Sequence, residues 1–140
     1  MDIAFRVLIP EEKTAVEDFE TSLSDGAPLF RAWTAPWRSE SLDYYLRTGW
    51  CFGAWQGDVL VGYFLAQPLL FVREMTQTLW VECVRGRTPE ITQALGDLAH
   101  RYGRDKHLQV VLFWNGANSP GSLPGEYLKQ EVFETRTAKF

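Results

Sequence analysis

The sequence has no apolar run near the ~20 residues that cross a bilayer, so a membrane-spanning helix is not expected. It has only 2 Cys and 2 His among 140 residues. Cys51 and Cys83 sit inside apolar, strand-like runs and read as buried small residues. A thiolate nucleophile needs a basic neighbour, and Cys83 has Arg85 close by, which keeps that alternative open. His100 and His107 have no Cys or carboxylate at ligand spacing, so no metal centre is expected. Neither a G-x-S-x-G nor a Walker A sequence is present. The first residues, Met1 to Arg6, lack the basic-then-apolar order of an export signal, which points to a cytoplasmic chain with reduced thiols. Positive charge is scarce, with 14 Lys+Arg against 18 Asp+Glu and a net charge of −4. General affinity for nucleic acid or for an anionic membrane is therefore not expected.

Apolar residues make up 46% of the chain and charged residues 23%, a globular balance, and the length suits one domain over 1–140. Aromatic residues reach 14%, with 6 Trp, more than a small core obviously needs. Phe5 to Ile9 reads as a strand, and Pro10 with Glu11 and Glu12 suits the first turn of a helix. Val16, Phe19 and Leu23 give that helix one apolar face. A loop with Phe30, Trp33, Trp37 and two prolines follows. Ser39 caps a second helix with Leu42, Tyr45 and Leu46, and Gly49 closes it. Trp50 to Trp55 and Val59 to Ala66 read as antiparallel strands joined by Gln56-Gly57-Asp58, and Pro68 is expected to limit further pairing. Thr78 to Val84 is a strand buried on both faces. Thr88 caps the clearest helix, Pro89 opens it, and Gly103 is expected to end it. Leu108 to Trp114 is a buried strand. A short helix over 126–131 and a last strand over 133–137 complete the order β-α-α-β-β-β-α-β-α-β. The strand–loop–helix–strand unit in its second half predicts a parallel crossover.

That join is where chemistry is expected. A strand ends at Val84, a short basic loop with Gly86 follows, and a strong helix begins. Free backbone N–H groups and the helix dipole favour an anion there, and Arg85 and Arg87 add positive charge. The bland alternative is a turn with two solvated arginines. Glu82 lies inside the apolar strand just before. Desolvation raises a carboxyl pKa toward neutrality, as a general base requires, whereas pairing with Arg85, Arg87 or Arg73 would make it structural. Tyr127, in the late helix, suits a proton donor to a leaving thiolate or a surface tyrosine. Phe30, Trp33, Trp37 and Tyr45 either line a ligand pocket or lie as a lid on the sheet.

These segments resemble the GCN5-related N-acetyltransferase (GNAT) superfamily, which transfers the acetyl group of acetyl-CoA to an amine. Trp50 to Trp55 with Val59 to Tyr63 resembles its second and third strands, Leu79 to Val84 its fourth, and Arg85 to Thr88 its pyrophosphate loop. Leu128 to Phe133 is similar to its late Y-x-K-x-G-F motif. Arg47 to Trp50, Phe64 to Gln67 and Val84 to Arg87 also resemble segments of a small bacterial family of acetyltransferase-like proteins. The resemblance implies an α+β fold: a central, mostly antiparallel mixed sheet flanked by helices. It implies acetyl-CoA as co-substrate, its pantetheine on the backbone of Cys83 and Val84, its phosphates on Arg85, Gly86, Arg87 and Thr88, and a small-molecule or peptide amine as acceptor. Glu82 becomes the base, Tyr127 the acid, and Phe30, Trp33, Trp37 and Tyr45 the acceptor pocket. The loop is degenerate: Thr88 and Glu90 stand at the glycine positions, and Pro89 removes an N–H. Tyr127 stands one place early in the late motif, and Val132 replaces its glycine. A non-catalytic binding protein on the same fold is the alternative. Only one strand follows the late helix, which leaves a sheet edge for a partner chain and suggests a homodimer.

Overall fold

The computed structural model describes residues 2–23, 39–70 and 76–114, together with 125 and 135. Strand β1 (Ala4–Val7) leads through a 3-10 turn at Pro10–Glu12 into helix α1 (Lys13–Leu23). The proline therefore opens a single tight turn, and Glu12 accepts a hydrogen bond from the Ile9 N–H at 3.0 Å. Helix α2 (Ser39–Arg47) ends at Gly49, whose φ of +79° supplies the expected left-handed cap. Strands β2 (Phe52–Gln56) and β3 (Val59–Leu70) enclose the two-residue turn Gly57-Asp58. Gly57 has φ +61°, the geometry that matches a hairpin's twist. Strand β4 (Gln77–Gly86), helix α3 (Pro89–Asp105) and strand β5 (Val110–Phe113) follow.

The five strands lie in sequence order, β1-β2-β3-β4-β5. The first three pairings are antiparallel, and β4 with β5 is parallel, as the crossover predicts. One face packs on α1 and α2 through Leu8, Val16, Phe19, Leu42, Leu46 and Leu65. The other packs on α3 through Val61, Phe64, Leu79, Val84, Leu95 and Ala99. This is the expected mixed, mostly antiparallel sheet flanked by helices.

Four expectations change. β3 runs past Pro68, which lies opposite Leu79. The N–H of Ala66 faces Cys51 on the β2 side. Strand alternation puts the Pro68 nitrogen on that same side, where β2 pairing has already stopped at Phe64, so no ladder bond is lost. α3 continues through Gly103 to Asp105, and the left-handed residue after it is His107, φ +64°. Gly103 is small because a Cβ there would come 2.9 Å from Val111 Cγ2. β4 extends through Arg85 and Gly86, held by pairing with Tyr63 and Gly62, so the basic loop shrinks to Arg87 and Thr88. Trp114 is exposed rather than core. Calls on 24–38 and 115–124, the helix over 126–131 and the strand over 133–137 with its partner edge fall outside the described residues.

The first turn of α3 sits directly on Gly86. A Cβ at Gly86 would lie 2.5 Å from the Thr92 backbone nitrogen, a contact that only backbone movement relieves. Gly86→Ala is expected to destabilise the protein by about 2 kcal/mol, read as a lower midpoint in urea denaturation. A midpoint equal to wild type sinks this account of the α3–β4 contact.

Candidate functional site

Glu82 marks the centre of the site. The register places Leu65 opposite Cys83 and the next residue, Ala66, opposite Val81. Glu82 is therefore the extra residue of a β-bulge in β4, the device that re-aims a side chain out of the ladder. It turns toward α2. Its Oε1 accepts the Tyr45 hydroxyl at 3.0 Å and the Trp80 indole N–H at 3.1 Å. Two of the predicted site residues, Glu82 and Tyr45, are thus in direct contact across 37 positions of sequence. Tyr45 in turn accepts the Gln67 amide N–H at 3.1 Å, and the exposed Tyr44 donates to the Gln67 carbonyl at 3.3 Å. The Trp80 and Trp114 rings lie 5.5 Å apart beside this chain of contacts. Burial, and then the Glu82 charge, drive the Tyr45 phenol well above its ordinary range, so it stays protonated.

Strand β4 continues beyond its pairing with β5. Strand pairing with β5 stops at Val81↔Phe113. Among the described residues, 82–86 have no strand partner on the β5 side.

Arg85 does something that sequence reasoning missed. Its Nε and a terminal nitrogen donate to the two carboxylate oxygens of Glu20, each at 2.9 Å. Glu20 is 0% exposed, and Tyr63 donates to the same carboxylate at 2.8 Å. The bidentate contact raises the Arg85 guanidinium further above its usual value. A signal existed: Glu20 falls four residues after Val16, on the apolar face of α1, where an acid needs a buried partner.

The loop before α3 is largely self-satisfied. The Arg87 N–H donates to Val61 O at 2.9 Å. The Ile91 N–H donates to the Thr88 hydroxyl at 3.3 Å, and the Thr92 N–H to Thr88 O at 3.1 Å. Pro89 has no N–H. The Arg87 guanidinium reaches Ser22 at 3.3 Å and lies 5.5 Å from the Phe19 ring centre on the exposed surface. It is the charge here that an anion can recruit without breaking a buried pair.

Cys51 is buried against the carbonyl of Tyr45, at 3.4 Å, and burial pushes its thiol up to about 12. Burial first, then the Glu20 charge, shift the Cys83 thiol upward as well, so proximity to Arg85 does not make it a thiolate. Phe30, Trp33, Trp37 and Tyr127 lie outside the described residues.

No family model matches the chain, and no curated protein matches it by sequence. Solved structures do. A ribosomal-protein-alanine N-acetyltransferase from Brucella melitensis superposes with a TM-score of 0.68 at 12% identity, covering 96% of this chain and 100% of that one. The chain has the GNAT acyltransferase fold. An aminoglycoside acetyltransferase from an uncultured soil metagenomic sample gives 0.65 at 11% identity, covering 96% and 97%. A Thermus thermophilus protein gives 0.64 at 20% identity, covering 95% and 99%. On this GNAT fold the bulged strand and the α3 join stand side by side.

Two outcomes follow for stability. Glu20→Ala removes the carboxylate that the half-buried Arg85 guanidinium is paired with, and is expected to cost about 3–5 kcal/mol. Glu20→Leu with Arg85→Met is expected to regain most of it in the same urea titration; no regain refutes the account. The buried thiols set a pH dependence. Burial holds both thiols above their ordinary value of 9.0 in the folded chain. Above pH ~9 the unfolded chain sheds protons that the folded chain keeps, so stability is full below that pH and falls above it, by about 1.4 kcal/mol per pH unit for each thiol. Denaturation midpoints at about pH 8 and about pH 10.5 test this, and equal midpoints contradict it.

Proposed function

We propose that the protein is an acetyl-CoA-dependent N-acyltransferase acting on a small-molecule or peptide amine, with a degenerate pyrophosphate loop. The observation that carries this reading is Glu82. Its carboxylate stands on a bulge next to the end of β4–β5 pairing; among the described residues Oε1 is filled by two donors and Oε2 bears none. An acceptor amine reaches the cell mostly as an ammonium and must lose a proton to attack. Glu82 Oε2 takes that proton, directly or through one water. The amine nitrogen then bonds to the thioester carbonyl carbon and sheds its second proton to water as the C–S bond breaks; the leaving thiolate takes a proton from Tyr127, which regains one from water. The pantetheine lies along Cys83 and Val84, and Arg87 with Gly86 and Thr88 meets the phosphates. Arg85, held by Glu20, braces the strand that carries this loop. Tyr45, with Phe30, Trp33 and Trp37, shapes the acceptor pocket.

Neighbours in fold support an amine acceptor: they include a polyamine N-acetyltransferase from Drosophila melanogaster and aminoglycoside acetyltransferases from soil samples. The second reading, a binding protein without transfer activity, is favoured by one observation. The N–H groups of Arg87, Ile91 and Thr92 already have partners, and Pro89 has none to give.

Thiol release from acetyl-CoA in the presence of polyamines, amino acids and peptides tests both. Glu82→Gln is expected to lower kcat by about 100-fold or more, and Arg87→Ala to raise KM for acetyl-CoA roughly tenfold. If calorimetry finds no heat with acetyl-CoA at millimolar concentration, the acyltransferase reading falls and the binding-protein reading stands.

A further inference from the structure

The geometry points to Gln67 as a positioning residue: its amide holds the Tyr45 phenol as a hydrogen-bond donor to Glu82 and so fixes which carboxylate oxygen takes the proton. The argument is one of donors and acceptors. A phenol has one proton. The Gln67 amide N–H occupies a Tyr45 lone pair at 3.1 Å, so the Tyr45 proton is directed at Glu82 Oε1, 3.0 Å away. The indole N–H of Trp80 only donates, and it fills the same Oε1 at 3.1 Å. Both donors stabilise charge on Oε1, which leaves Oε2 as the oxygen that binds a proton. The amide itself is held by Tyr44, which donates to its oxygen at 3.3 Å. With the opposite amide orientation, Gln67 would accept the Tyr45 proton, and a phenol lone pair would face the carboxylate. The distance of 3.0 Å from the Tyr45 oxygen to Oε1 then joins two acceptors with no proton between them, which opposes that arrangement.

Gln67 reaches this position because β3 outruns β2. Gln67 pairs with Trp80 across the ladder, three residues past the last β2 partner, Phe64, so α2 rather than β2 meets its side chain. Titratable and charged groups stand on the elements packed near Glu82. Tyr45 and Tyr44 come from α2. Cys83 and Arg85 come from β4, and Glu20 comes from α1, where it is tied to Arg85 and Tyr63. Neither arginine bonds Glu82: Arg85 holds Glu20, and Arg87 reaches Ser22. Among the described residues, the donors that reach Glu82 are thus Tyr45 and Trp80, both on Oε1.

The role in turnover rests on the reading that Glu82 accepts the amine proton, and two readouts separate the two claims. The first uses the free protein, with carbon-13-labelled Glu carboxyls followed by NMR against pH and Glu82 assigned through Glu82→Gln. Gln67→Leu is expected to raise the Glu82 pKa by about one unit, a tenfold gain in proton affinity. Gln67→Glu, which accepts the Tyr45 proton and adds charge, is expected to raise it further. In a Tyr45→Phe background, Gln67→Leu is expected to have no effect, because Gln67 acts through Tyr45. The second readout is acetyl transfer, whose acidic limb should move up with the NMR value. An unmoved Glu82 titration in both Gln67 variants overturns this inference, and so does a shift that persists at full size without the Tyr45 hydroxyl. A shifted titration in a protein that transfers no acetyl group refutes the acyltransferase reading and the catalytic part of this inference, while the hydrogen-bond ordering stands. A shifted titration with an unmoved rate profile also removes the catalytic part.

Discussion

A single buried carboxylate holds the two halves of this structure together. Glu20 comes from α1, Tyr63 from β3 and Arg85 from the far end of β4, and all the donors converge on Glu20. An ionised carboxylate removed from water is stable only with such partners. The constraint is directional: the fork of Arg85 meets both oxygens, so α1 can neither slide nor rotate against β4 without losing two charge-assisted bonds. Because Arg85 stands one residue before Gly86, the pair also fixes where β4 ends and where α3 begins. The join between strand and helix is rigid for reasons unconnected with any ligand.

The second constraint is close approach. Gly62 and Gly86 face each other across β3 and β4, and α3 seats its first turns on them. A Cβ at Gly62 would come 2.8 Å from both Ile91 Cγ2 and Leu95 Cδ1. The bulge at Glu82 lies a few residues upstream on the same strand. Strand β4 is thus pinned at one end by a helix and kinked near its middle, and the Glu82 carboxylate stands at the kink.

Much of this was legible in the sequence. Thr88 and Pro89 announce the start of α3, Gly57-Asp58 announces the hairpin, and Leu42, Tyr45 and Leu46 mark the buried face of α2. These signals are local: a cap, a turn residue and a helical period each act within a few positions. Glu82 was visible as an acid in an apolar strand. What stayed hidden depends on register. Nothing near Glu82 states that Ala66 skips it to pair with Val81, and nothing near Arg85 states that its partner is an acid on α1. Gly103 and Pro68 misled for a related reason. Each is a residue that breaks structure in isolation, yet tertiary packing sets its role: Gly103 makes room for Val111, and Pro68 turns its missing donor toward the side where β2 pairing has ended.

The cap at Thr88 has a consequence for affinity. Its hydroxyl already occupies the Ile91 N–H, the group at the head of α3 to which an anionic oxygen would bind. The hydroxyl is in effect a tethered rival, present at the high local concentration that a short covalent link imposes. A phosphate arriving from solution must displace it, whereas a glycine in its place would leave the N–H vacant. Selectivity follows from that competition: only a ligand anchored elsewhere as well, along β4 or beside Glu82, brings enough additional contact to unseat an occupant that never diffuses away.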